Sequence, residues 1–196
     1  MSTTTTTLLF FAGSAREASY NKRLARLGAM IAEANGIGAT FADLGDYPMP
    51  LYDGDLQARD GVPDNAYKLE ALMKVHSGVF IASPEYNASF SPLLKNTLDW
   101  ISRIRREGEE PLLVFKSRVF AIGAASPGGT GGMRGLFAVR HVLVHGLGAL
   151  VLPDQFYVPR VAEAFDDHGH LKDKPAQDRF KLLIQKLARA AHVLHG

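Results

Sequence analysis

Three short stretches of this chain carry residue types suited to holding a small molecule. In the first, hydroxyls at Ser14 and Ser19 flank the cation Arg16, just after the apolar run 8–12 and the breaker Gly13. Hydroxyls, an arginine and the free N–H groups of a helix start are the donors that hold a phosphate. The second stretch, Pro84-Glu85-Tyr86-Asn87, follows the apolar run 78–82. Pro84 removes a donor and fixes a turn. Tyr86 offers an aromatic face, and the remaining N–H groups can address a carbonyl and a nitrogen of a flat ring. The third is Ser126-Pro127-Gly128-Gly129-Thr130-Gly131-Gly132, where glycines let backbone approach such a ring closely. Each has a plainer reading: a helix cap with a solvated Arg16, a rigid turn with Tyr86 in the core, and a mobile linker. Position in the fold decides between them.

The rest of the chain supplies that position. Residues 1–7 are a low-complexity segment expected to fray into solvent, and residues 8–196 read as one domain without a linker or repeat. The run 8–12 is a first strand. Leu24, Leu27, Gly28 and Ile31 recur at helical spacing up to the stop at Asn35-Gly36. A second strand follows at 40–44. Residues 47–63, rich in Pro, Gly and Asp, predict a long loop and the most dynamic segment. A helix over 64–76 turns Leu69, Leu72 and Met73 inward, and 78–83 is the third strand. Ser91 caps the next helix, with Pro92 at its first position and Leu94, Leu98 and Ile101 on one face. Then come a fourth strand at 118–125, a helix at 136–144 and a fifth strand at 150–152. Residues 155–173 read as an extended excursion turning at His168-Gly169, and Phe180, Leu183, Ile184 and Leu187 mark a last helix. Strands alternating with helices or long loops predict an α/β fold, a five-stranded parallel sheet with helices on both faces. In such sheets the loops after the strands gather along the carboxyl edge, so the three stretches should meet.

Composition narrows the classes. The chain has 196 residues, 46% hydrophobic, a net charge of +2 and no cysteine. Disulfides, thiolate nucleophiles and thiolate metal sites are excluded, and a reducing, cytoplasmic setting suits the chain. No basic block stands out, so a nucleic-acid partner is not expected. No apolar run approaches the length of a membrane span. His141 and His145 stand four apart on a helix without a third ligand nearby, so no metal site is expected. Ala124-Ala125-Ser126-Pro127-Gly128 echoes a nucleophile elbow but lacks its first glycine. Neither a P-loop nor the dinucleotide glycine fingerprint occurs. Asn87-Ala88-Ser89 matches a glycosylation acceptor by chance, with no secretory signal beside it.

The chain resembles the NAD(P)H-dependent FMN reductases of the flavodoxin-like fold, a group that includes quinone, chromate and azo reductases. The marks are Gly13-Ser14-x-Arg16-x-x-Ser19-x-Asn21, Pro84-Glu85-Tyr86-Asn87, Leu94-Lys95-Asn96-x-x-Asp99-Trp100 and the glycine-rich 126–132. The resemblance runs from about residue 8 to the last helix and includes the Phe165-Asp166-Asp167-His168-Gly169 turn. It implies a three-layer sandwich with sheet order 2-1-3-4-5. It also implies that Ser14, Arg16, Ser19, Tyr20 and Asn21 hold the phosphate of FMN. The flavin ring would be lined by Pro84, Glu85, Tyr86, Asn87, Ser126, Gly128 and Gly131. NADPH or NADH would be the co-substrate, a quinone, free flavin or related small molecule the acceptor, and no side chain would act as acid or base. The assembly implied is a homodimer or homotetramer with the flavin near the subunit interface. The alternative is a flavodoxin-type electron carrier without its own NAD(P)H-linked turnover. Such carriers resemble one another in an arginine-free phosphate loop and a strongly acidic surface, so Arg16 and the charge of +2 favour the enzyme.

Overall fold

The computed structural model describes residues 6–195, without the side chain of His195. Five strands form one parallel sheet: β1 (Thr7–Ala12), β2 (Gly38–Ala42), β3 (Gly78–Ala82), β6 (Val119–Ala125) and β7 (Leu150–Val158). Their order across the sheet is β2-β1-β3-β6-β7, which is the predicted 2-1-3-4-5 once a small hairpin is set aside. That hairpin is β4 (Glu85–Tyr86) and β5 (Ser89–Phe90). The helices are α1 (Tyr20–Ala34), α2 (Gly54–Asp60), α3 (Asp64–Lys74), α4 (Pro92–Ser102), α5 (Leu113–Lys116), α6 (Met133–His141) and α7 (Lys174–His195).

The strands are apolar on both faces because helices cover both. Leu8, Phe10, Ala12, Phe80 and Ala82 point to one layer, where α1 and α7 pack Leu24, Leu27, Phe180, Ile184 and Leu187 against them. Leu9, Phe11, Val79 and Ile81 point to the other, against Leu69 and Met73 of α3, Leu94, Leu98 and Trp100 of α4 and Leu136 of α6. Each such leucine or isoleucine, buried fully, contributes about 1.5–3 kcal/mol of transfer free energy. Arg118, just before β6, donates to Met73 O and Lys74 O at 3.0 and 2.6 Å, so a cation closes the C-terminal end of α3.

Several boundaries differ from expectation: β2 runs Gly38–Ala42 rather than 40–44, and the others have physical reasons. Thr7 already pairs with Gly38, so β1 begins inside the segment expected to fray; residues 1–5 of that segment lie outside the described residues. The segment 47–63 is not a loose loop. Asn96 donates to Pro50 O at 2.9 Å and accepts from Tyr52 N–H at 2.7 Å, and Trp100 Nε1–H donates to Pro50 O at 2.7 Å. The same segment contains α2, capped by Asp53, which accepts from the N–H groups of Asp55 and Leu56. Strand β7 continues well past 152. Between the Phe120↔Val151 and Ile122↔Gln155 pairs, β6 places only Ala121 against Leu152, Pro153 and Asp154 of β7. That bulge accommodates the proline, and Arg140 satisfies its carbonyls, donating to Leu152 O at 2.7 Å and Pro153 O at 3.3 Å. Past β7 the chain turns where expected, with an isolated bridge between Phe165 and Leu171 around Gly169.

Candidate functional site

The loops after β1, β3 and β6 meet at the carboxyl edge of the sheet, where open α/β sheets bind ligands. The first loop, residues 13–19, leads into α1. Ser19 is the N-cap, and its Oγ accepts from Lys22 N–H at 3.3 Å. Ser14 is buried, and its Oγ accepts from Arg16 N–H at 3.4 Å. The N–H groups of Ala15, Glu17 and Ala18 donate to no protein acceptor among the described residues. The Arg16 side chain is exposed and makes no hydrogen bond or ion pair among them either. Free N–H donors at a helix start beside a free guanidinium are the donor set a phosphate monoester requires. The loop therefore fits the phosphate end of FMN.

A buried lysine shapes this loop. Lys22 Nζ donates to Ala15 O at 3.1 Å and lies 2.7 Å from Asp43 Oδ2, so it ties the loop to the turn after β2. Burial pushes the Asp43 carboxyl up, but hydrogen bonds from Lys22 and Gly45 N–H, with the charges of Lys22 and Arg26, hold it below the usual carboxylate range. Sequence reading passed over Lys22; an ionisable residue among Leu24, Ala25 and Leu27 on a buried helix face was the available signal.

The second loop is the β4–β5 hairpin. Pro84 is buried and Tyr86 is 46% exposed, so its ring is available to a ligand and is not core. Asn87 and Ala88 form the tip with φ of 51° and 64°, a conformation that L side chains seldom adopt. The Glu85 side chain points away from solvent toward the start of α6. Its Oε2 accepts from Arg134 N–H at 3.1 Å and Gly135 N–H at 3.2 Å, and its Oε1 accepts from Arg134 Nε at 2.8 Å.

The third loop, 126–132, is folded onto the end of β7. Ser126 N–H donates to Val158 O at 3.1 Å, and Arg160 N–H donates to Gly128 O at 3.3 Å. Ser126 Oγ accepts from Gly128 N–H at 3.2 Å. Gly131 has φ of 64°, and a Cβ there would lie 2.8 Å from Pro159 N, so this glycine is required by packing. A Cβ on Gly129 would meet nothing within 4 Å, and Gly128 and Gly129 are exposed. These two leave the open surface beside which a flat ring fits.

Each pair of loops is joined by one side chain. Ser91 Oγ, at the foot of α4, donates to Gly13 O at 2.5 Å and joins the second loop's helix to the first loop. Buried Asn21 donates from Nδ2 to Ala125 O and accepts from Ala125 N–H, both at 2.9 Å, and so joins the first loop to the third. Glu85 joins the second to the third. Tyr20 is half-buried beside Asn21 and packs on the core. The residues predicted for the site therefore converge, with Asn21 and Glu85 engaged by protein partners. A cavity of about 510 Å³ between β7 and α7 contains no residue of the three loops; it is lined by Tyr157, Leu182 and the paired Asp154 and Lys186, among others. The ring centroids of His141 and His145 lie 5.1 Å apart, and among the described residues no three metal-ligating side chains cluster.

A parallel five-stranded sheet with a phosphate-type loop after its first strand and two ring-type loops beside it defines a flavodoxin-like mononucleotide site. The chain belongs to the NADPH-dependent FMN reductase family, whose model matches residues 6–163. It is 35% identical over 140 residues to a quinone reductase of Escherichia coli strain K12, covering 71% of this chain and 70% of that one. It is 30% identical over 194 residues to an NAD(P)H-dependent FMN reductase of Pseudomonas aeruginosa, covering 96% and 97%. Among solved structures it superposes with a TM-score of 0.77 on FerB, a flavoenzyme NAD(P)H:(acceptor) oxidoreductase from Paracoccus denitrificans. The identity there is 23%, with 96% of this chain and 98% of that chain covered.

Proposed function

We propose that this protein is an FMN-dependent oxidoreductase that uses NADPH or NADH to reduce quinones, free flavin or a related small acceptor. The observation that carries this is the set of N–H groups and the Arg16 side chain in the first loop that have no partner among the described residues, set beside the two ring-type loops. Bound FMN would supply the hydride-accepting, two-electron chemistry of the reaction. The protein's own groups bind and orient. Ser14, Arg16, Ser19 and the N–H groups of 15–18 hold the phosphate, while Tyr20 and Asn21 support that loop from behind. Pro84, Tyr86, Asn87, Ser126 and Gly128 lie along the ring, with Glu85 and Gly131 fixing the two loops that contact it. Backbone N–H groups of Asn87, Gly129 and Thr130, unpaired among the described residues, would be available to charge developing on the reduced ring.

With one face of the bound ring left open, nucleotide and acceptor would use it in turn, which would give ping-pong kinetics. The strands and helices from Thr7 onward act as one domain, and the family resemblance supports a cytoplasmic homodimer or homotetramer. A chain without cysteine suits a reducing compartment. Among the described residues, no helix is long and apolar enough to cross a membrane. The test is direct. The purified protein, loaded with FMN and desalted, should be yellow and oxidise NADPH or NADH with a quinone, giving parallel double-reciprocal lines. A protein that binds FMN but turns over neither nucleotide is an electron carrier instead.

A further inference from the structure

We propose that Glu85 is a positioning residue that latches the third loop to the second and thereby sets affinity for the flavin ring without touching it. The proposal rests on the FMN reading above. The motif that carries Glu85 places it among ring-lining residues, yet its carboxylate faces the other way. The Glu85 side chain is 7% exposed and meets four donors at the start of α6: two backbone N–H groups, Nε and Nη2 of Arg134. A carboxylate at a helix N-terminus, closed by an arginine, is a strong and directional attachment. It fixes where α6 begins, and α6 begins where the glycine-rich loop ends, at Gly132 with φ of 87°.

The fit around the latch is close. A Cβ on Gly135 would lie 2.9 Å from Ser89 O and 3.3 Å from Glu85 Cα, so α6 sits directly on the hairpin. A Cβ on Gly132 would lie 2.7 Å from Ala124 Cβ, so the loop is equally tight on the end of β6. Cutting the latch frees the start of α6 from the hairpin and lets the ring-facing backbone of 126–131 drift. Preorganisation of both ring loops is lost together. The phosphate loop has its own anchor in Lys22 and keeps its geometry.

The experiment compares Glu85→Ala, Glu85→Gln, Arg134→Met and the double variant E85A/R134M in the full chain, well below the unfolding temperature of each. Dissociation constants are measured for FMN and for riboflavin, which lacks the phosphate. Glu85→Ala should weaken both flavins by the same factor, roughly 10- to 100-fold, the range for losing charge-assisted hydrogen bonds. Glu85→Gln should recover part of this, because its amide oxygen still accepts from the Gly135 N–H. Arg134→Met should fall between, and the double variant should be no worse than Glu85→Ala. The absorption band of bound flavin should not shift in any of them. Amide exchange at Arg134 and Gly135 should accelerate in Glu85→Ala. Unchanged flavin affinity with only a lowered unfolding temperature overturns the proposal in favour of a purely structural role. A shifted flavin band in Glu85→Gln with Arg134→Met silent overturns it in favour of direct ring contact. A parent protein that binds neither flavin sinks the FMN reading itself, and that result is distinct from both.

Discussion

At the scale of single residues, the site separates a side chain without a protein partner from those already satisfied. Arg16 has no protein partner among the described residues, whereas Asn21 and Glu85 have theirs. Arg16→Ala should therefore weaken FMN by about 1.5–3 kcal/mol, the range for hydrogen bonds to charged groups, and leave riboflavin nearly unchanged. Fluorescence titration with the two flavins measures this, and equal losses would place Arg16 in the fold or at the ring. The donor types of the first loop were legible in the sequence, since Ser14, Arg16 and Ser19 lie close together. The partners of Asn21 were not, because Ala125 stands 104 residues away and only the folded sheet brings them together. Glu85 reads as a site residue from its motif, and only the orientation of its side chain shows what it holds.

At the scale of elements, the sheet and long helices were legible because their apolar periodicity matches their burial. Ser91 and Pro92 marked the start of α4 correctly: Ser91 Oγ accepts from Leu94 N–H at 3.2 Å. Helix α2 was missed because none of its residues is buried, so no apolar stripe exists to be read. The β4–β5 hairpin was missed because two-residue strands show no alternation, and its tip uses Asn-Ala where such turns favour Asn-Gly. The pinning of 47–53 by α4 was hidden for a further reason. Asn96 and Trp100 reach backbone atoms of Pro50 and Tyr52, which no side-chain pattern announces. Asn96→Ala would leave both the Tyr52 N–H and one lone pair of Pro50 O without their partner. The expected cost is about 1–3 kcal/mol of stability, the sum of two part-buried hydrogen bonds at about 0.5–1.5 kcal/mol each. Urea unfolding should show it as a lower midpoint at unchanged slope. A loss within error would mean that water replaces the amide and that this segment is looser than its contacts suggest.

At the scale of the whole molecule, two ion-paired carboxylates, buried Glu70 and half-buried Asp43, contribute to acid stability. Burial pushes the Glu70 carboxyl up, but hydrogen bonds from Arg106 and Lys74 and their charges hold it below the usual range, as Lys22 does for Asp43. In the unfolded chain both groups titrate near about pH 4. Their stabilisation is therefore complete above that pH and is lost as pH falls through the lower folded values. Acid unfolding, followed by fluorescence of the single, fully buried Trp100, should set in below about pH 4. Lys22→Met should lower stability at neutral pH and flatten its fall below about pH 4, because Asp43 then keeps its desolvation and loses the partner whose loss acid would otherwise cause. A fall as steep as the parent's would show that other groups control the transition.

The bulge of β7 bears on how copies of this molecule can meet. Strand β7 is an edge of the sheet, and a long flat edge is a template on which another chain can add a strand. Here Pro153 withholds an N–H, Asp154 and Lys186 place paired charges alongside at 3.0 Å, and Arg140 occupies two carbonyls. Extension of the sheet through this stretch of β7 is thereby disfavoured. Contact between copies on the β7 side must then be made by side-chain surfaces, which leaves β2 as the edge open to an added strand.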